Sequence, residues 1–358
     1  MKILKKFLVG LICTGLVSCS NAVTSVTQSD LNNVSTESAQ QKSFKNKYLC
    51  VTMANGGAEL VKVLNLETKE VISLPVAGFV QGMSADLEQN VIYVSAKGSG
   101  GDFSLFKLDI KAKKIDRILS FSQLGIKPTF FTVNKNKVFV TGKRGNAGVF
   151  YGNDLIKNEW FSVASNISTG RIELGFTEDT YHVISYDDDY VTKTVVDVKL
   201  KQIISRKTIA HDIPFGNNVF IPSPHGLFVF LLHQLQNSFI PYVFNVKQGT
   251  VSKFDEVQTN DGLLYSAIVS NDGKQLLTNV NREIYHYKLE NEKLVSLPKV
   301  SLNIPESRNM VMGADNRTLY VTHESGQNIS VVNFNPNLTS YNISTMYFGG
   351  PSDQIYLF

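Results

Sequence analysis

Short runs of β-branched and aromatic residues return along this chain at a nearly fixed spacing. They are Cys50-Val51-Thr52, Tyr93-Val94-Ser95, Phe139-Val140-Thr141, Val183-Ile184-Ser185, Phe228-Val229-Phe230, Leu276-Leu277-Thr278 and Tyr320-Val321-Thr322, with first positions 43, 46, 44, 45, 48 and 44 residues apart. Between two runs, apolar and polar positions alternate as in half-buried strands. Phe103, Leu105, Phe106, Leu108 and Ile110 mark one strand, residues 111–114 a polar turn, and residues 115–121 a further strand. A loop then leads to residues 129–133, a turn at Asn134-Lys135-Asn136, and the next recurring run. Similar turns precede other runs, at residues 86–90, at Asn271-Asp272-Gly273 and at Asp315-Asn316. Asn, Asp and Gly tolerate the positive φ that tight hairpins need. Each unit is therefore expected to hold four antiparallel strands. No comparable 3.6-residue period runs through long windows, which disfavours helical repeats.

A unit of about 45 residues built this way matches a propeller blade. The pattern predicts an all-β chain: a seven-bladed β-propeller of four-stranded antiparallel blades over residues 47–358. By repeat phase, residues 354–358 form the first strand of a blade whose other three strands begin at Lys47. The last strand is thus expected to close the first blade and remove the unpaired edge.

The last unit adds a more specific likeness. Leu319-Tyr320-Val321-Thr322-His323-Glu324-Ser325-Gly326-Gln327-Asn328-Ile329-Ser330-Val331-Val332 resembles the YVTN propeller repeat, a strand, a Gly-containing loop and a second strand. His323 stands where that motif usually has Asn, and the other six units are degenerate. The resemblance implies a site in the central funnel, on the face built by loops leading into each innermost strand and loops between second and third strands. By phase, the ligand-binding candidates there are Gln81, Lys127, Arg171, Asn217, Tyr265, Arg308 and Asp353, with His323 from a neighbouring loop. Lys143, Arg144, Asp187, Asp188, Asp189, His211, His233, Arg282 and Glu324 surround them. Several cations directed at one channel favour an anionic or carboxylated ligand.

The N-terminus reads as an export signal. Lys2, Lys5 and Lys6 precede an apolar stretch over residues 7–17, too short to span a bilayer, which ends in Leu16-Val17-Ser18-Cys19. This resembles the bacterial lipobox. The likeness implies a signal peptide over residues 1–18, cleavage before Cys19, and acylation of Cys19 by palmitate-class chains that hold the protein to a membrane. Ser20 is similar to the outer-membrane sorting class, implying the cell envelope and the periplasmic side of the outer membrane. Residues 19–46 are then the lipidated cysteine and a flexible tether. They are rich in Ser, Thr, Asn and Gln, and their coil reach is roughly 30 Å.

Charge and chemistry narrow the function. Lys and Arg number 35 against 31 Asp and Glu, but three of the lysines belong to the leader, which leaves a mature net of about +1. A phosphate-binding surface calls for a clear cationic excess, so no nucleic-acid partner is expected. The three cysteines are Cys13, Cys19 and Cys50, so the mature chain has no intramolecular disulfide, and Cys50 reads as a buried small hydrophobe. Asp187-Asp188-Asp189 lacks the alternating spacing of a calcium loop and reads as a solvated tip. The six histidines are scattered, and no zinc, haem, nucleophile-elbow or phosphate-loop motif occurs. No catalytic residue, metal or cofactor is assigned. The expected function is a membrane-anchored scaffold that binds an envelope protein, glycan or other ligand. The alternative is a funnel enzyme of the lactone hydrolase or lyase type. A third reading, an accessory of outer-membrane protein assembly, is weakened because the propeller lipoproteins of that kind usually have eight blades and this sequence has seven repeats.

Overall fold

The computed structural model describes residues 47–358 except 56–57, 87–88, 135, 145–146, 168–171, 178–179, 188–189, 211–217, 223–227, 246–249, 260–263, 271, 281, 291–292, 303–306, 325–326 and 351. The expected leader, Cys19 and the tether lie outside the described residues.

The described strands form seven antiparallel sheets, one per sequence unit. Counted outward from the hub, the first blade is Ser352–Leu357, Tyr48–Asn55, Ala58–Asn65 and Val71–Val76. The second is Phe79–Asp86, Val91–Lys97, Phe103–Asp109 and Lys114–Ser120, and the third Lys127–Asn134, Lys137–Arg144, Ala147–Asp154 and Glu159–Ile167. The fourth is Ile172–Thr177, Thr180–Asp187, Tyr190–Asp197 and Gln202–Ala210. The fifth and sixth begin Asn218–Pro222, Phe228–Gln234, Ser238–Asn245 and Leu264–Val269, Gln275–Val280, Glu283–Glu290. Each ends in an outer strand of two pieces, Thr250–Lys253 with Val257–Gln258 and Lys293–Ser296 with Val300–Ser301. The seventh is Ser307–Met312, Thr318–His323, Asn328–Phe334 and Tyr341–Tyr347. Innermost strands of successive blades touch at the hub, as Phe79–Asp86 does Lys127–Asn134 and Ser307–Met312 does Ser352–Leu357. This is the seven-bladed propeller expected from the repeat.

The recurring runs are the second strands, and burial explains why they stand out. A second strand has a neighbour on each edge and a packed blade on each face. Val91–Lys97 is buried from Val91 to Ala96, and Gln275–Val280 is buried throughout. Such strands read as unbroken apolar runs. The outer strand Val71–Val76 alternates exposed and buried, because only one face is covered. Between blades lie apolar seams. Leu105, Phe121 and Leu124 of the second unit meet Phe131, Val138 and Val149 of the third. Phe121 lies 5.7 Å from Trp160. Each such side chain contributes about 1.5–3 kcal/mol by leaving water.

Ring closure follows the sequence expectation, with a strand two residues longer at its start. Leu49 pairs with Leu357, Cys50 with Tyr356 and Val51 with Ile355. The Lys47 and Tyr48 amides donate to the Phe358 carbonyl at 2.5 and 2.9 Å, and the Phe358 amide donates to the Tyr48 carbonyl at 2.9 Å. Cys50 is fully buried, and that burial pushes its thiol pKa well above the ordinary value.

This register defines two faces. Ser352 pairs with Met53 where inner strands begin and second strands end, here called the mouth face. Leu357 and Leu49 pair at the opposite, rear face, where Lys47 emerges.

Candidate functional site at the funnel mouth

The mouth is shaped by a repeated irregularity. In five blades the register between first and second strands slips near the mouth: between Val80 and Gly82, Pro128 and Phe130, Leu264 and Ser266, Ser307 and Met310, and opposite Thr52 in the first blade. A bulge re-aims the extra residue and is common beside functional sites. The extra residues fall at Gln81, Thr129, Tyr265, Arg308-Asn309 and Asp353-Gln354. Four of the seven funnel positions chosen by sequence phase, Gln81, Tyr265, Arg308 and Asp353, therefore sit on bulges.

Second-strand hydroxyls pin two of these bulges. Thr52 Oγ1 accepts the Gln354 amide at 3.0 Å. Thr322 Oγ1 accepts the Asn309 amide at 3.0 Å and donates to the Asn309 carbonyl at 3.2 Å. Beside them, serines lace neighbouring blades together. Ser307 Oγ donates to Asn279 Oδ1 at 2.5 Å while Asn279 Nδ2 donates to the Ser307 carbonyl at 2.9 Å. Ser352 Oγ accepts the His323 amide at 3.3 Å. In the third blade the backbones themselves approach closely. A Cβ on Gly142 would lie 2.5 Å from the Lys127 carbonyl oxygen, so only glycine fits beside that bulge.

The candidate side chains differ in how available they are. Gln81 is exposed, and its Nε2 donates to the nearby Phe79 and Val80 carbonyls at 3.4 and 3.3 Å. Lys127 is exposed, opposite Lys143. Arg308 pairs with Glu324, both substantially exposed, which in water contributes about 1 kcal/mol at most. Arg144 Nη2 donates to the Leu124 carbonyl at 2.7 Å, and its guanidinium lies over the Tyr151 ring. The Tyr265 and Asp353 backbones are placed, but their side chains lie outside the described residues, as do Arg171 and Asn217 altogether. Asp188, Asp189 and His211 also lie outside them.

His323 departs from its expected place. It ends the second strand of the seventh blade rather than standing in a loop, and it is fully buried. Its Nε2 lies 2.8 Å from Ser330 Oγ. The strand continues one residue further than the motif reading assumed, and this carries the imidazole into the sheet packing. His233 is likewise buried at the end of its strand, and desolvation lowers its pKa.

The pinning residues Thr52, Thr322, Asn279, Ser307 and Ser352 are not among the residues expected from sequence. Their signal was present: a hydroxyl at the third place of most recurring runs, and Ser-x-Asn and Ser-x-Gln at 307–309 and 352–354. Among the described residues no cluster of His, Cys, Asp and Glu is arranged to hold a metal. The mouth offers an exposed amide, an exposed ammonium and an exposed ion pair on a rigid rim, which is chemistry suited to recognising polar or anionic groups. A second concavity, of about 330 Å³, lies on the rear face between the first and second blades and is lined by Tyr48, Asn65, Glu70, Asn90, Lys111 and Lys113.

No protein family and no curated protein matches this sequence. Solved structures do match in shape. A provisionally named 6-phosphogluconolactonase of Bacteroides fragilis is 12% identical with a TM-score of 0.65, over 89% of this chain and 99% of its own. Another of Bacteroides uniformis is 12% identical with a TM-score of 0.65, over 87% and 100%. The periplasmic gluconolactonase of Pseudomonas aeruginosa is 12% identical with a TM-score of 0.58, over 87% and 98%. At this identity the likeness establishes the propeller fold and nothing finer.

Proposed function

We propose that the chain is an envelope lipoprotein, anchored through Cys19 on the periplasmic side of the outer membrane, whose propeller recognises a polar partner or ligand at its mouth without transforming it. The observation that carries this reading is the recurrence of a bulge at the mouth end of the inner strand in five blades, with Gln81 and Arg308 raised on it. The reactive groups beside it are engaged, His323 with Ser330 and Glu324 with Arg308. The lipobox supports the anchor. The test is affinity capture of the lipidated protein from its own membranes, beside a Gln81→Ala, Lys127→Ala, Arg308→Ala variant. A retained partner that the variant loses, with folding unchanged, supports recognition. Equal capture by both overturns the mouth as the site.

A second reading, a funnel lactone hydrolase, is favoured by the shape likeness to the periplasmic gluconolactonase of P. aeruginosa and the two Bacteroides proteins. It predicts opening of gluconolactone or its 6-phosphate by the purified propeller. Turnover lost on mutation of the mouth, or stoichiometric metal retained there, would replace recognition with catalysis.

A further inference from the structure

The outer hairpins of the first four blades share one design. Each begins with Asn or Asp at the end of the third strand: Asn65, Asp109, Asp154 and Asp197. That side chain caps the turn. Asp109 Oδ1 accepts the Ala112 amide at 2.8 Å, Asp154 Oδ1 the Ile156 amide at 3.0 Å, and Asp197 Oδ1 the Leu200 amide at 2.7 Å. Four residues after the cap, Lys69, Lys113, Asn158 and Lys201 take positive φ. The three capping carboxylates are thereby folded against the backbone, and the two central residues of each turn point outward. Those residues are Glu67-Thr68 in the first blade, Lys111-Ala112 in the second, Ile156-Lys157 in the third and Lys199-Leu200 in the fourth. Ile156 is 76% exposed and Leu200 62% exposed. Large apolar residues at hairpin tips contribute nothing to the seams, and here each is flanked by lysine.

All four hairpins lie on the rear face, since Asn65 pairs with Tyr48, Asp109 with Val91, Asp154 with Lys137 and Asp197 with Thr180, the starts of the second strands. The chain preceding Lys47 leaves from that same face, beside the bonds to Phe358. A membrane-bound N-terminal segment would therefore join the disc on the side that carries this rim.

We propose that the rear rim docks on an anionic phospholipid surface, with Ile156 and Leu200 entering the headgroup layer and Lys157, Lys199 and Lys201 facing its phosphates. Amphipathic surfaces of this kind combine apolar insertion with salt-sensitive attraction. The inference concerns the folded disc alone and does not depend on acylation of Cys19.

The ring closes within residues 47–358, so a chain starting at Ser20 keeps every contact described while lacking leader and acylation site. Co-sedimentation with vesicles of phosphatidylcholine and phosphatidylglycerol, against phosphatidylcholine alone, tests the proposal. Binding is expected only with phosphatidylglycerol, falling as salt shortens the Debye length below about 8 Å. Ile156→Ser with Leu200→Ser, or Lys157→Glu with Lys199→Glu, is expected to lower partition by about tenfold with unchanged melting temperature. Tyr347→Ser, on the mouth face, should leave it unchanged. Absence of vesicle binding, equal binding by the rim variants, or an equal loss in Tyr347→Ser overturns the proposal. Palmitate labelling and partner capture, which use the full chain, read the proposed function separately.

Discussion

The Gln354 amide donates to Thr52 Oγ1 at 3.0 Å across 302 residues of sequence, and Gln354 Nε2 reaches on to the Val80 carbonyl at 2.9 Å. One side chain in the final strand thus ties the first blade to the second. Removal of residues 352–358 exposes the inner edge of the first blade and strips Ile355 and Phe358 from their seams. That chain is expected to lose cooperative urea unfolding. Gln354→Ala, which breaks only the Val80 contact and the tie to Tyr356, is expected to cost about 1–2 kcal/mol and stay cooperative.

A second expectation concerns the bulge under Arg308. Thr322→Val keeps shape and removes both bonds to Asn309. Stability is expected to fall by about 1–2 kcal/mol. Capture of the mouth partner is expected to fall further than that loss accounts for, because Arg308 is held by the same bulge.

Acid stability carries a signature of His286. The imidazole is buried between the sixth and seventh blades, with Nε2 2.9 Å from Gln275 Oε1 and its ring 4.7 Å from that of Phe334. Desolvation lowers its pKa from 6.5 to about 4. The folded state then stays neutral where the unfolded state takes up a proton. The contribution is fully present above pH 6.5 and is lost as pH falls to about 4, by roughly 3 kcal/mol in all. Urea unfolding of the wild type and of His286→Gln at pH 7.5 and 4.5 should show the wild type losing more of its stability.

Cys50 makes the proposed lipidation countable. It is buried with a raised thiol pKa, so native protein is expected to resist thiol reagents. After denaturation, mature protein acylated at Cys19 should yield one thiol per chain. Two would show Cys19 unmodified.

The sequence made the fold legible through its second strands, and the reason is physical. Tyr93-Val94-Ser95 is covered on both faces and both edges, so almost any polar substitution there is costly and the apolar run persists. Closure was legible for the same reason, since Ile355 keeps its apolar character inside the first blade. The site was less so. Phase located Gln81 and Arg308 on their strands but gave no sign of a bulge, because a bulge changes register without changing residue types. His323 shows the converse. One residue of extra strand moved an imidazole from an expected loop into the packed sheet, a distinction finer than any turn signal in Glu324 to Gln327.

The pairing of Tyr48–Asn55 between Ala58–Asn65 and Ser352–Leu357 also has a mechanical meaning. The strand runs from the rear face, where the N-terminal segment leaves, to the mouth. Were the N-terminal segment anchored and a partner held at the mouth, as proposed, tension between them would act along the strand, and the bonds of both ladders would share the load in shear. They would not be unzipped one at a time, and the load would enter through the blade that closes the ring.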